Sequence, residues 1–370
     1  MSHSEDVNIL QGKKHFPILD GLRGIAALSV VVFHYLEWIY PDFSGNFIGH
    51  GFLAVDFFFC LSGFVIAYAY DSRLHQMGLR AFFTSRLIRL HPLVIAGTVI
   101  GLIGMFANPF ADQAGPYTMA TLLLIFVCSL LLIPLPVMEE RGFNLFGLNA
   151  PSWSLFWEYV ANILYALIFA RLSLKILRLL IVPAAAGILW VSFRAGNLLG
   201  GWNGDTFADG GIRMTYSFLA GLLIFRSGWI IKNKLGFLAL SFLLAASFMT
   251  SWIPHNGLVE SLIVLLYFPL LVALGAGSDL TGSLRKICLF LGKISYPLYM
   301  THYAFIWWFG NYYTSHDVPR EYLPWIIGTG TAAMLFFAWL VMVLYETPLR
   351  SYLSSKRKVP SHQGNRTSFK

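Results

Sequence analysis

LDGLRGIAALSVVVFHY, residues 19–35, opens on an acid and a base, Asp20 and Arg23, then runs apolar until His34 interrupts it. Such a run has the composition of a membrane-spanning helix, which needs about 20 apolar residues. A histidine deep inside one is costly to bury, and an ionisable group within a span marks a functional site by default. Imidazole also titrates near neutral pH, which suits proton transfer. The plainer alternative is that His34 only hydrogen-bonds a neighbouring helix.

The rest of the chain repeats the pattern. Of 370 residues, 57% are hydrophobic and 12% are charged, about half the charge fraction of a soluble domain. Eleven apolar segments follow one another, near Ile18–Trp38, Phe52–Tyr70, Leu90–Phe106, Met119–Leu135, Ser152–Phe169, Leu179–Phe193, Arg213–Phe225, Leu235–Trp252, Leu258–Leu274, Cys288–Phe309 and Pro324–Tyr345. The short alternating segments of a barrel are missing. The expected fold is all-α, a polytopic membrane helix bundle. The net charge of +8 falls mostly in short clusters between the runs. That is an orientation signal and implies no nucleic acid. Cys60, Cys128 and Cys288 sit in or beside apolar runs without metal-ligand spacing, so neither disulfides nor a metal is expected. No cleavable signal peptide is visible, because the first run is too long.

Basic residues set the topology. Lys13 and Lys14 put the N-terminus in the cytoplasm, and so do the clusters at 73–89, 171–178, 226–234 and 285–286 for their loops. Arg350, Lys356, Arg357 and Lys358 put the C-terminus there too. Two cytoplasmic ends require an even number of crossings, so eleven segments cannot all span. About ten spans are expected, with one re-entrant or partly crossing segment between Leu90 and Pro151. The segment at 119–135, bracketed by Pro109, Pro116, Pro134 and Pro136, is the suspect rather than that at 90–107. Residues 1–350 form the transmembrane domain, and 351–370 a polar basic cytoplasmic tail.

Depth follows from a rise of ~1.5 Å per residue. His34 then lies roughly 21 Å above the cytoplasmic edge of a core ~30 Å thick. Asp56 and Glu158 lie roughly 8 and 9 Å below the outer face, and His302 roughly 21 Å up. The expectation is one layer holding two imidazoles and two carboxylates, with Asp56 or Glu158 orienting His34 as a general base. Toward the cytoplasmic face, Arg23, Arg86 and Arg89 suit bidentate phosphate recognition, with Asp20 orienting Arg23. Gly21 and Gly24 flank Arg23 and would let a ligand or another backbone approach. A purely packing role is the alternative for the layer. A proton-coupled transporter or flippase is the competing function.

Five pieces carry a family resemblance: LDGLRG through His34, GFLAVDFFFCLSGFVI at 51–66, RLIRLHP at 86–92, PSWSLFWEY at 151–159 and LGKISYPLYMTH at 291–302. In this order they resemble the acyltransferase 3 family of integral membrane acyltransferases, from about residue 18 to about 350. The resemblance implies an O-acyltransferase of the bacterial cytoplasmic membrane. It would move an acyl group, usually acetyl, from cytoplasmic acyl-CoA to a hydroxyl of an extracytoplasmic acceptor, a surface glycan or glycolipid. The family roles fall on His34 as catalytic histidine, on Arg23 as inner-face arginine, and on Arg86 and Arg89 as a basic motif. Asp56, Trp153 and Glu158 match its other polar positions, and Trp153 could stack on a sugar. His302 and Asp20 are supporting residues. Some members carry a soluble esterase-like domain after the last span. None follows the last run here, so a separate extracytoplasmic partner is an expectation.

Overall fold

The computed structural model describes residues 15–43, 45–111, 117–280 and 282–356. Lys13, Lys14, Pro116, Arg357, Lys358 and the rest of the basic tail lie outside them. The described residues form α1 (Pro17–Ile39), α2 (Ala54–Tyr70), α3 (Leu74–Phe106), α4 (Met119–Leu130), α5 (Ser152–Leu167), α6 (Leu174–Ala195), α7 (Phe207–Arg226), α8 (Gly236–Phe248), α9 (Asn256–Gly277), α10 (Ser283–Thr301), α11 (Tyr303–Ser315) and α12 (Arg320–Ser355). No strand occurs among them.

Among the described residues, seven helices are long and apolar enough to cross a membrane: α1, α2 together with the turn at 51–53 before it, α3, α5, α6, α9 and α12. Helices α7 and α10, of 20 and 19 residues, match them in length but are less apolar. Exposed Phe193, Phe242, Trp325 and Leu344 give the bundle an apolar outer belt, the surface that lipid covers.

Local chemistry sets the boundaries. Pro17 starts α1 where a missing N–H costs nothing. Gly78, at φ 75° and ψ 162°, kinks the start of α3. Thr118 and Ser173 cap α4 and α6 through their hydroxyls. The expected segment Cys288–Phe309 is two helices, because the chain breaks at His302 between α10 and α11. The last helix continues to Ser355, so the first residues of the expected tail are helical.

Helix α1 is central. It packs most extensively on α10, and also touches α2, α8, α9, α11 and α12. A Cβ on Gly24 would sit 2.5 Å from Leu291 Cβ, and one on Gly292 2.5 Å from Asp20 Cβ. The glycine beside Arg23 therefore admits another helix. Helices α2 and α7 form the second close pair. Gly63 lies against the Phe218 carbonyl and Gly221 against the Cys60 carbonyl, a small-residue contact typical of membrane bundles.

Between α3 and α5 the chain goes in and comes back. Helix α4 has 12 residues, about 18 Å, well short of a crossing. Its end meets the His91 ring on α3 at the Leu130 backbone. The chain then turns at Leu132, φ 54°, and returns as a loop that is buried over residues 144–150. Leu148 lies against Gly101, and Asn149 against Gly97, where Asn149 Nδ2 donates to the Met300 carbonyl at 3.0 Å. Backbone polar groups at such depth survive only when protein covers and pairs them.

Candidate functional site

The two histidines meet. The His34 ring on α1 stacks on His302 with centroids 5.5 Å apart and planes 25° apart, and Tyr303 stands edge-on to His34 at 5.8 Å. The two rings share one level of the bundle. The carboxylates do not join them. The acid against His34 is Glu37, whose Oε2 lies 2.9 Å from His34 Nδ1, one helical turn on. The His34 side chain is 21% exposed and that of Glu37 39%, so the pair has an open edge. His302 is fully buried; its Nδ1 meets the Leu298 carbonyl at 3.1 Å and its Nε2 has no hydrogen-bond partner among the described residues.

Asp56 is engaged elsewhere. It is fully buried on α2 and forms an ion pair with Arg213 of α7 at 2.5 Å. Arg213 also donates to the Gly200 carbonyl at 2.7 Å and lies 5.4 Å from the Trp153 ring. Trp153 is buried under that guanidinium and beside Gly201, which leaves its face unavailable to a sugar. Expecting Asp56 beside His34 overlooked Arg213. In the sequence Arg213 reads as the edge of a segment, but α7 begins six residues earlier, at Phe207.

Glu158 also leaves the histidine layer. Its Oε1 accepts from Ser62 at 2.6 Å, from Arg86 at 3.0 Å and from Asn162 at 3.4 Å. Ser62 lies six residues along α2 from Asp56, about 9 Å away, so the two acids occupy different depths. The depth arithmetic took Ser152 as the membrane edge. The returning loop is buried instead, and α5 starts inside the bundle, with Ser152 1% exposed.

The arginines line one cavity of about 570 Å³. It follows α2 from Tyr68 to Val55 and α10 from Leu289 to Tyr299, a depth of about 20 Å. His15, Arg23, Arg86, Arg89, Lys293 and Arg350 form its basic lining. The far end is apolar, closed by Val55, Phe58, Leu155 and Tyr299, with Ser154 the polar exception. Arg23 is held at this wall: it donates to Asp20 at 2.5 Å, Ser295 at 3.1 Å and the Gly292 carbonyl at 3.0 Å. His15 Nε2 meets the other Asp20 oxygen at 3.1 Å. Arg89 has no hydrogen-bond partner among the described residues and lines the cavity. It is thus a spare multivalent donor for an anion.

Beyond the far end, Tyr299 touches His302 with ring centroids 6.0 Å apart. The order along the bundle is therefore cations, apolar chamber, Tyr299, His302, His34. On the other side of His34, the Tyr303 ring is 6.3 Å from Trp307, Trp38 stands edge-on to Trp307 at 5.2 Å, and Arg141 lies 4.5 Å over Trp307. Arg141 comes from the returning loop and donates to the Gly147 carbonyl at 2.7 Å. Burial lowers its guanidinium pKa from the ordinary value, against the opposing pull of Tyr303 and Glu140. Sequence reasoning singled out neither Glu37 nor Arg141. The first was legible from its spacing to His34. The second depends on a loop fold that no local pattern announces.

The sequence matches the family model of an acyltransferase domain over residues 16–343. It is similar to a Rhizobium radiobacter protein named only for its place in the picA locus, 33% identical over 48% of this chain and 95% of that one. A Staphylococcus aureus (strain COL) protein with an O-acetyltransferase name is 26% identical over 91% of this chain, and the match spans 58% of its length. A Bacillus subtilis (strain 168) protein with a peptidoglycan O-acetyltransferase name is 36% identical over 25% of this chain and 14% of its own. No solved structure matches.

Proposed function

The chain belongs to the acyltransferase 3 family of integral membrane acyltransferases, and from that premise we propose that it transfers an acyl group, acetyl foremost, from acyl-CoA to a hydroxyl of an extracytoplasmic glycan. The observation that carries this reading is the cavity. It is about 20 Å deep, with cations along its wall and an apolar end one aromatic ring from the histidine pair. An acyl-CoA has matching chemistry: phosphates at one end, an uncharged arm, and a thioester at the other. The acetyltransferase names of the Staphylococcus and Bacillus relatives support acetyl as the group moved.

In this reading Arg89 takes donor phosphate with Lys293 and Arg350, while Arg23 and the Arg86–Glu158 pair shape the wall. His34 is the base. With Nδ1–H donating to Glu37, the lone pair lies on Nε2, and the ring is held in one orientation. The acceptor hydroxyl gives its proton to Nε2 as its oxygen attacks the thioester carbonyl. The carbon–sulfur bond breaks, and the CoA thiolate leaves and takes up a proton. The open edge of His34, among Tyr303, Trp307 and Trp38, offers aromatic faces to a sugar ring. The donor end faces the cytoplasm and the His34 end faces outward, in the bacterial cytoplasmic membrane.

Purified protein in detergent tests the donor. Titration with acetyl-CoA should give saturable binding, and a glycan acceptor should release free CoA. Absence of acetyl-CoA binding by the intact protein would overturn the donor assignment.

A further inference from the structure

Resting on that donor reading, we infer that Tyr299, in the wall of the apolar chamber beside the histidine pair, is the residue that limits acyl chain length. Tyr299 lines the donor cavity together with Phe58 and Ser154. Its ring is also in contact with His302, which stacks on His34. An acyl chain whose carbonyl comes within reach of His34 therefore has its tail against Tyr299.

Tyr299 is held still. Its hydroxyl shares a hydrogen bond with Ser154 Oγ at 2.8 Å, and Ser154 in turn donates to the Pro151 carbonyl at 3.0 Å. Phe58 packs edge-on against the phenol at 5.6 Å. Both Ser154 and Tyr299 are buried, at 6% exposure each. A buried ring pinned at its polar tip and along its edge keeps one rotamer, because displacing it strands a polar group and opens a void. The chamber end is therefore a rigid stop, and a rigid apolar stop discriminates by methylenes. One extra methylene in a fixed pocket is worth about 10–200-fold. An acetyl group fits short of the ring, and each added carbon presses on it.

The test is a calorimetric comparison of acetyl-, butyryl- and hexanoyl-CoA binding to detergent-solubilised wild type, Tyr299→Phe, Tyr299→Leu and Tyr299→Ala. The wild type should prefer acetyl-CoA over hexanoyl-CoA by at least about tenfold. Tyr299→Ala should remove that preference and Tyr299→Leu should halve it on a logarithmic scale. Tyr299→Phe keeps the ring and should keep the preference. The graded leucine variant decides the question if alanine at this buried site fails to fold. A wild-type preference unchanged in Tyr299→Leu and Tyr299→Ala would overturn the proposal. So would loss of preference in Tyr299→Phe equal to that in Tyr299→Ala, because the hydroxyl and not the bulk would then be responsible. A wild type that binds acetyl-CoA but shows no length preference sinks the stop while sparing the donor reading. A wild type that binds no acyl-CoA sinks the donor reading itself.

Discussion

Replacing His34 by alanine takes away the imidazole and leaves α1 its length and its apolar contacts. Transfer should fall by about 10²–10⁴-fold, the usual contribution of a positioned base, with the protein still monodisperse in detergent. Near-normal turnover would remove His34 from the chemistry. Glu37→Gln should lower kcat by less, leave the acyl-CoA KM alone, and shift the pH profile, since only the carboxylate on Nδ1 is altered. Asp56→Asn belongs to another class. It leaves Arg213 buried without its counter-charge, and breaking such a pair costs about 3–5 kcal/mol. Its expected signature is a lower melting temperature rather than a selective loss of kcat. At the donor end Arg89→Ala is the informative change, because Arg89 supports no neighbour that would collapse with it. Loss of a charged hydrogen bond there should weaken acetyl-CoA binding by about 1.5–3 kcal/mol. Calorimetry showing unchanged affinity would return Arg89 to a topology marker.

At the level of elements, the bundle depends on two helix pairs that approach through glycine. Gly221→Ala should force α7 away from α2, since its new Cβ would collide with the Cys60 carbonyl. Overpacking of this kind costs about 1–3 kcal/mol, and the displacement would also strain the Asp56–Arg213 pair two turns away. A thermal-shift assay that found Gly221→Ala as stable as wild type would contradict this packing. The helices themselves were legible in the sequence, because membrane spans declare themselves by length and apolarity. The shared level of His34 and His302 was legible too, since depth along a straight helix is simple arithmetic. Partners were not. Asp56 was assigned to the His34 layer by depth alone, with Arg213 read only as the edge of a segment, and Glu158 was set in the same layer because Ser152 was taken as the membrane edge. In each case the missing information was tertiary: which backbone is buried, and which helix turns face each other. Gly97 and Gly101, four apart on α3, are where the returning loop comes close.

The whole molecule has two unlike ends, and α4 decides how they are separated. Were α4 a full span, the chain after it would change sides and carry Arg141 away from Trp307. The structure instead folds residues 131–151 back so that Arg141 covers Trp307 and Asn149 reaches the Met300 carbonyl, both near the His34 layer. Helix α5 then runs to the opposite end, where Tyr165 and Arg226 share Asp71 at the foot of α2. This arrangement predicts that residues 139 and 175 lie on opposite sides of the membrane. Single cysteines at Glu139 and Lys175, in a background without Cys60, Cys128 and Cys288, should therefore react with an impermeant maleimide from opposite faces. The native three are buried, and replacing them with alanine or serine exchanges small side chains. Labelling of 139 from outside and 175 from inside would place the arginine-lined cavity mouth on the cytoplasmic side, where acyl-CoA is made. Labelling of both from one side would require α4 to cross fully. Labelling in the reverse sense would keep the fold but turn the cavity mouth outward, and acyl-CoA could then not be its ligand.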